Sequence, residues 1–300
     1  MFQFVQNQRW HHHRHGWGRV LDAMAPLADP LGIPFYDWAD GMFRDGIVIK
    51  HLWTGIVHNV CRYPNENDYR GKIKSLEVLV GNPSFRYSIS SCRGLFTLCR
   101  HAASFLTEHV DVPVIPLTHP GFPMSRTFDW DKYRQRPSVV TIGQWMRKFT
   151  SLFELDVPFP KTLIGLPDKN LYRGVEEKQG VIRQDFLEPH QYDEVLERSL
   201  VFLDFHDVTA CNTIIECIIA STPVLTNRHP GNEEYLGSDY PLFFDDLEEA
   251  ALKARDMELV RSAGEYLSSM NKGRFDPAYF VDSISSSDIY RDLNATRWFL

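Results

Sequence analysis

A single carboxylate interrupts an otherwise apolar stretch in the second half of the chain. Glu216 lies between Ile214-Ile215 and Ile218-Ile219, which have the spacing of one helix face. A carboxylate is tolerated in such a helix if it faces a crevice and accepts hydrogen bonds from a bound group. Glu216 is therefore a candidate ligand-binding residue.

Histidines and glycines crowd a turn after the first predicted strand, where the chain reads Arg9-Trp-His-His-His-Arg-His-Gly-Trp-Gly18. A purification tag would be longer, more uniform and terminal, so we discount it. A metal site has weak support because no acidic or cysteine partner is nearby. The third interpretation is a glycine turn, with Gly16 and Gly18, at a helix N-terminus where N–H groups can approach an anion and a histidine can act as general base. For His11 and His12 we prefer an ordinary polar loop.

His58 is a further candidate, because it ends a predicted strand over residues 54–57. If the strands are parallel, His58 lies at the same sheet edge as the His15-Gly16 turn. A histidine at such a place is either structural or catalytic, and structural histidines are the commoner case.

The elements that position Glu216 form a predicted βαβ unit. The apolar run 200–205 is typical of a buried strand. Asn212 or Thr213 can cap the following helix, which ends near Pro223, and residues 223–226 predict the next strand. Glu216, one turn into this helix, is therefore near the carboxyl ends of two parallel strands.

Strands and helices alternate in two successive runs, which predicts an α/β fold with two doubly wound, Rossmann-like domains facing a central cleft. We place the first domain at 1–125, a linker at 126–137, the second domain at 138–280 and a loose tail at 281–300. Ligands bind such folds at the carboxyl ends of the strands. The candidate features lie at these ends, namely the histidine turn, His58 and the loops 143–148, 204–213 and 227–237.

Composition narrows the function classes. The chain has 43% hydrophobic and 13% aromatic residues, which supports two full cores, and its net charge of −7 disfavours a nucleic-acid partner. There is no apolar run of about 18 residues, which predicts no integral membrane segment, and the N-terminus lacks a signal-peptide pattern. The cysteines are odd in number, and none has CxxC spacing, which fits reduced thiols and predicts a cytoplasmic protein.

On these residues the chain resembles the GT-B glycosyltransferases. The resemblance covers nearly the whole chain and is strongest in its second half, where 199–203 and 212–225 are similar to the family's donor-site segment. It implies that Glu216 holds the ribose hydroxyls of a nucleotide sugar, while helix N-terminal amides near Asn212 and Thr213 meet the diphosphate. The loop 143–148 is similar to the family's first donor-domain loop, which implies that Gly143, Arg147 and Lys148 belong to the donor site.

Other segments carry the resemblance into both halves of the chain. The turn 13–18 resembles the family's N-domain turn near the transferred sugar. The stretches 53–59 and 234–242 are similar to small polysaccharide and glycan transferases of bacteria and large DNA viruses. This similarity implies contacts of Glu234 and Tyr235 with the donor sugar or base.

The chain departs from the family at one position. Many retaining members carry two glutamates separated by seven residues, and the first of these corresponds to Val208 here. Either Asp207 or a backbone amide takes that place, or nothing does. This departure favours inversion, for which the resemblance implies His13 or His15 as the general base and His58 as the next choice.

The resulting hypothesis is a metal-independent glycosyltransferase without a cofactor, moving a sugar from a UDP- or GDP-sugar donor to a glycan or other hydroxyl acceptor. Fixed positive charge would replace a metal, since no Asp-x-Asp pair lies in a convincing context. The alternatives are a sugar-nucleotide epimerase of the same fold and a catalytically inactive nucleotide-sugar-binding protein. A third alternative, a periplasmic-type solute-binding protein, is disfavoured because it would be expected to carry a signal peptide, and the sequence shows no such pattern. The oligomeric state stays open.

Overall fold

In the computed structural model of the protein, the alternating strands and helices form two parallel sheets. The structure describes residues 1–5, 16–43, 46–63, 75–143, 146–165 and 180–296. The chain divides into two units, Met1–Pro120 with Gly273–Leu300, and Gly121–Lys272. Each unit contains one sheet, which confirms the predicted α/β class.

The sheet of the first unit is parallel throughout, and its strands follow one another in chain order. Its described strands are β1 (Phe2–Phe4), β2 (Ile33–Tyr36), β3 (Trp53–Val57), β4 (Cys92–Thr97) and β5 (Val114–Pro116). The helices between them are α1 (Trp17–Ala23), α2 (Ala39–Met42), α3 (Leu76–Gly81), α4 (Pro83–Ser88) and α5 (Arg100–Thr107). Every residue of β3 is buried, as expected of an interior strand covered on both faces.

The sheet of the second unit is also parallel, and its strands are β6 (Val139–Ile142), β7 (Lys161–Ile164), β8 (Val181–Gln184), β9 (Leu200–Leu203), β10 (Val224–Asn227) and β11 (Phe243–Phe244). Their order is β11-β10-β9-β6-β7-β8. The strands β7 and β8 therefore lie on one side of β6, and the strands that follow them in the chain, β9 to β11, lie on its other side. In doubly wound sheets ligands bind at such a reversal, which here lies at the carboxyl ends of β6 and β9.

The helices of the second unit come before, between and after its strands in the chain. They are α6 (Trp130–Gln135), α7 (Phe149–Glu154), α8 (Pro189–Arg198), α9 (Asn212–Ala220), α10 (Pro230–Leu236), α11 (Leu247–Arg255) and α12 (Met257–Ser269). The predicted βαβ unit is therefore present as β9, α9 and β10. No helix among the described residues combines the length and the apolarity needed to cross a membrane.

Residues 126–137, which the sequence predicts to be a linker, contain α6 and pack within the second unit. Asp129 caps this helix by accepting bonds from the backbone N–H groups of Asp131 and Lys132. Arg126 and Lys132 both donate to the Glu197 carboxylate of α8, at 2.9 and 2.8 Å. The charged residues of this segment thus form a capped helix that is held by ion pairs.

The C-terminal tail is helical rather than loose, and it belongs to the first unit. It forms α13 (Pro277–Ser285) and α14 (Asp288–Thr296). Ser286 and Ser287 form the junction between them, where the Ser287 hydroxyl accepts from the backbone N–H of Tyr290. Ile289 lies against β4, and a Cβ on Gly94 would come within 2.5 Å of its side chain. The tail therefore covers part of the first sheet.

Candidate functional site

The loops after β6 and β9 meet at the reversal of strand order in the second unit. The backbone of Arg147 pairs with that of Phe205 as an antiparallel bridge, and the His206 N–H donates to the Met146 carbonyl at 3.0 Å. Gly143 begins the first loop with a φ of +80°, a left-handed conformation that favours glycine. The two loops are therefore fixed to each other by backbone bonds.

Arg147 extends from this junction to the beginning of α9. Its Nη2 atom donates to the Cys211 Sγ atom at 3.2 Å and to the Thr213 hydroxyl at 3.4 Å. Its guanidinium also lies over the Phe205 ring, 4.8 Å from the ring centre. A Cβ on Gly143 would lie 3.2 Å from Nη2, so the glycine leaves room for the guanidinium. The structure thus brings Gly143, Arg147 and Thr213 together.

The beginning of α9 offers a positive end to an anion. Within the part of the chain that the structure describes, the Cys211 side chain forms no capping bond to the first turn. Asn212 and Thr213 are the first two residues of the helix, and its backbone N–H groups point out of this end. With Arg147 beside it, this end concentrates positive potential suited to a phosphate group.

Lys148 lies in the same loop but has a different partner. Its Nζ atom donates to the Asp204 Oδ1 atom at 3.1 Å, and the Ser151 hydroxyl donates to the Oδ2 atom at 2.6 Å. Asp204 is buried, so its charge needs these donors. Much of the Lys148 charge is therefore balanced by Asp204, which leaves Arg147 as the stronger candidate for an anionic ligand.

Glu216 is 7% exposed and has a specific partner on the neighbouring helix. The Tyr192 hydroxyl of α8 donates to its Oε2 atom at 2.5 Å. Burial raises the pKa of Tyr192 well above its usual value, and the nearby Glu216 carboxylate raises it further. A hydrogen bond from the Thr213 hydroxyl to Tyr192 has the opposite, smaller effect on the pKa. Tyr192 was not identified from the sequence, because a lone tyrosine on another helix gives no pattern.

Asp207, the residue beside Val208, is also buried and is bound by a histidine. His229 Nε2 lies 3.0 Å from Asp207 Oδ1, and the Val208 N–H donates to the same oxygen at 2.7 Å. The Gly231 N–H donates to His229 Nδ1 at 3.0 Å, so the proton of the neutral ring resides on Nε2 and is donated to Asp207. No sequence pattern indicates this pair, since its two members are 22 residues apart in the chain.

The loop after β10 is attached to the loop after β9 by Asn227. Its side-chain amide accepts from the Phe205 N–H at 2.9 Å and donates to the Phe205 carbonyl at 3.1 Å. A depression of about 350 Å³ opens beside it. It is lined by Lys148, Asp204, Asn227, Arg228, Phe244, Asp245, Asp246 and Leu247. On the following helix α10, Glu234 is partly exposed, whereas Tyr235 is only 3% exposed.

The remaining predicted site residues belong to the first unit. Gly16 is the N-cap of α1 and Gly18 lies within its first turn, while His13 and His15 fall outside the described residues. His58 follows β3 and is partly buried. Its Nε2 atom lies 2.7 Å from the Asp37 carbonyl, and because a carbonyl only accepts, this nitrogen carries a proton.

Two buried aspartates surround His58 and were not identified from the sequence. Asp40 accepts bonds from the backbone N–H groups of His58 and Asn59, at 3.2 and 2.9 Å. Asp37 accepts from the Trp17 indole at 3.1 Å, and the Trp17 ring lies 4.4 Å from the His58 ring in an edge-on arrangement. His58 is therefore held rigidly at the carboxyl end of β3.

Comparisons with known proteins show the fold. No family model and no curated protein matches the sequence. Among solved structures, an alpha,alpha-trehalose-phosphate synthase (UDP-forming) from Burkholderia vietnamiensis is similar with a TM-score of 0.61 and 10% identity, over 92% of this chain and 78% of that one. WaaG, a glycosyltransferase involved in lipopolysaccharide biosynthesis, is similar with a TM-score of 0.62 and 12% identity, over 96% of this chain and 100% of that one. Anabaena HepE in complex with UDP-glucose is similar with a TM-score of 0.59 and 11% identity, over 92% of this chain and 84% of that one. The chain has the GT-B fold with two Rossmann-like domains.

Proposed function

We propose that the protein is a glycosyltransferase whose second unit binds a nucleotide-sugar donor. The observation that carries this proposal is the joint position of Arg147, the N-terminus of α9 and Glu216 at the reversal of strand order. Arg147 and the helix amides suit a diphosphate, and a buried carboxylate one turn further on suits the hydroxyls of a ribose.

The proposed donor is a UDP- or GDP-sugar. The trehalose-phosphate synthase described above is UDP-forming, and HepE is in complex with UDP-glucose, which supports UDP. The proposed acceptor is a hydroxyl group of a glycan. These assignments concern classes of ligand, and the sugar itself is left open.

In the proposed reaction, the acceptor oxygen attacks the anomeric carbon of the sugar while the bond from that carbon to the diphosphate oxygen breaks. The nucleoside diphosphate leaves with the bonding electron pair, and a base takes the proton of the acceptor hydroxyl. Arg147 and the α9 amides stabilise the charge that develops on the leaving diphosphate. We propose that this fixed positive potential serves in place of a metal ion.

A histidine of the first unit is the proposed base, which fits inversion. The candidates are His13, His15 and His58. In the neutral His58 ring the Nε2 proton is directed at the Asp37 carbonyl, so Nδ1 is the nitrogen that can accept a proton. Asp37 and Asp40 hold this histidine at the carboxyl end of its strand, where ligands of such sheets bind.

A catalytically inactive nucleotide-sugar-binding protein is the second candidate. It is favoured by Val208 at the place of the family's first glutamate, and by Asp207, whose Oδ1 atom is already bound by His229 and the Val208 N–H. A carboxylate oxygen that already accepts hydrogen bonds within its own loop is less able to bind the donor sugar.

Calorimetry with UDP, GDP, dTDP and CMP tests donor binding, and release of nucleoside diphosphate from the matching sugar nucleotides tests turnover. We expect binding of UDP or GDP, together with slow donor hydrolysis or transfer. Binding without turnover would support the inactive protein, and no binding of any of these nucleotides would contradict both candidates. Alanine variants at His13, His15 and His58 then test the base, since its loss should abolish turnover while donor binding persists.

A further inference from the structure

Four side chains from three elements form one continuous line of hydrogen bonds through the donor unit. Arg147 donates to the Thr213 hydroxyl, the Thr213 hydroxyl bonds Tyr192, and the Tyr192 hydroxyl donates to Glu216. The line begins in the loop after β6, passes through the first turn of α9 and reaches α8 before it returns to α9. It connects the residue assigned to the diphosphate with the residue assigned to the ribose.

The direction of every bond in this line follows from its two ends. A guanidinium only donates, and an ionised carboxylate only accepts. Thr213 therefore accepts from Arg147 and donates its own proton to the Tyr192 oxygen, and Tyr192 donates its proton to Glu216. The Tyr192 hydroxyl cannot rotate away without losing its bond to the buried Glu216 carboxylate, which makes this end of the line well defined.

Tyr192 is the member that fixes the carboxylate. Glu216 is 7% exposed, and a buried carboxylate needs donors to remain ionised. The 2.5 Å bond from Tyr192 is short and charge-assisted, so it fixes one carboxylate oxygen in direction as well as in charge. Tyr192 can do this because Glu188 and Gln191 form a capping box that begins α8 just before it.

We infer that Tyr192 is a positioning residue, which holds the Glu216 carboxylate in the orientation that a donor ribose requires and connects it through Thr213 to Arg147. This inference rests on the proposed function. It predicts that Tyr192 affects recognition of the ribose hydroxyls more than binding of the phosphates.

The experiment measures binding by calorimetry on the full chain and on its Tyr192→Phe variant. The probes are UDP and GDP, the 2′,3′-dideoxy counterpart of whichever binds more tightly, and inorganic pyrophosphate. The variant should bind the ribonucleotide about tenfold more weakly, since it loses a hydrogen bond to a charged group. Its preference for the ribonucleotide over the dideoxy form should fall, and its affinity for pyrophosphate should stay within about twofold of the wild-type value.

Tyr133→Phe is the matched control. It removes the hydroxyl of a second tyrosine of the same unit, on α6, which is fully buried and for which the described residues provide no hydrogen-bond partner. It should leave all three affinities unchanged. If Tyr192→Phe does not fold, Thr213→Val takes its place, because it removes the donor to Tyr192 and should reduce the same ribose preference by a smaller factor.

The outcomes separate this inference from the proposed function. Failure of the wild-type chain to bind UDP and GDP overturns both. Wild-type binding with an unchanged ribose preference in Tyr192→Phe overturns the role of Tyr192 alone. Equal weakening of ribonucleotide, dideoxynucleotide and pyrophosphate binding also overturns that role, because it would mean a general structural effect.

Discussion

Lys148 Nζ lies 3.1 Å from Asp204 Oδ1, and this ion pair joins the loop after β6 to the end of β9. The backbone supports the same junction, since the Lys148 N–H donates to the Asp204 carbonyl at 2.7 Å. Asp204 is buried, whereas Lys148 is 38% exposed at its side chain. The pair therefore holds the two loops of the candidate site together, and in the proposed function the neighbouring Arg147 binds the diphosphate.

Asp204→Ala should lower the free energy of unfolding by about 2 kcal/mol, because it leaves Ser151 and Lys148 without their shared acceptor. Urea denaturation followed by tryptophan fluorescence measures this change. Asp156→Ala is the control, since Asp156 pairs with Arg255 at the surface and should have no measurable effect. An equally small effect of both variants would show that the buried pair does not hold the loop.

Arg147→Ala should weaken binding of UDP, GDP and inorganic pyrophosphate by at least about tenfold, because a charge-assisted bond to phosphate is lost. Arg147→Lys should recover only part of this loss, since an ammonium lacks the guanidinium fork. Calorimetry at two salt concentrations measures both effects. Arg228 provides the control, because it carries the same charge on the loop after β10 but pairs with Glu233 at 2.6 Å. Equal losses in Arg147→Ala and Arg228→Ala would indicate general electrostatics.

The part of the candidate site that lies in the second unit was predictable from the sequence because it depends on local sequence pattern. Apolar strands, a helix with one carboxylate and parallel connections suffice to place Arg147, Thr213 and Glu216 near the carboxyl ends of β6 and β9. The partners across space were not predictable in the same way. Tyr192 and His229 lie on separate elements, and their contacts depend on register and side-chain direction, which no periodicity reports.

The C-terminal helices show a related limit. Phe280 and Ile284 are buried one turn apart on α13, which is an ordinary apolar stripe. Three serines, residues 285–287, separate this stripe from α14. Because serine is equally common in caps and in loose segments, the sequence does not indicate that a second helix follows. A short sequence pattern cannot distinguish a cap between two docked helices from a disordered tail.

Asp207 offers a test of whether, in the proposed glycosyltransferase, a carboxylate replaces the glutamate that many retaining GT-B enzymes carry at the position of Val208. If Asp207 only supports its loop, Asp207→Asn should retain donor turnover, because an amide oxygen can still accept from His229 and from the Val208 N–H. Asp207→Ala should instead lower stability and turnover together. Release of nucleoside diphosphate and thermal unfolding measure the two effects. Loss of turnover in a stable Asp207→Asn variant would show that the negative charge itself takes part in the reaction.

Tyr133→Phe should raise the free energy of unfolding by about 1 kcal/mol or leave it unchanged. Burial raises the pKa of Tyr133, and among the described residues its hydroxyl has no hydrogen-bond partner. Removing an unsatisfied buried hydroxyl relieves its desolvation cost while the ring keeps its packing. Urea denaturation measures the change. Clear destabilisation would mean that the hydroxyl has a partner, such as an ordered water, that the interior requires.

His206 should make stability depend on pH in the weakly acidic range. His206 is exposed, and its pKa is lowered from 6.5 first by partial desolvation and second by the Lys148 charge, whereas Asp204 opposes these effects. The folded state therefore takes up its proton at lower pH than the unfolded state does. The contribution to stability is present above pH 6.5 and is lost as the pH falls towards the lowered pKa. His206→Gln should flatten the stability profile over this interval in urea denaturation at several pH values. A wild-type profile in the variant would assign the dependence to another histidine, and Lys148→Met should shift the effect towards the ordinary histidine pKa because it removes the second cause.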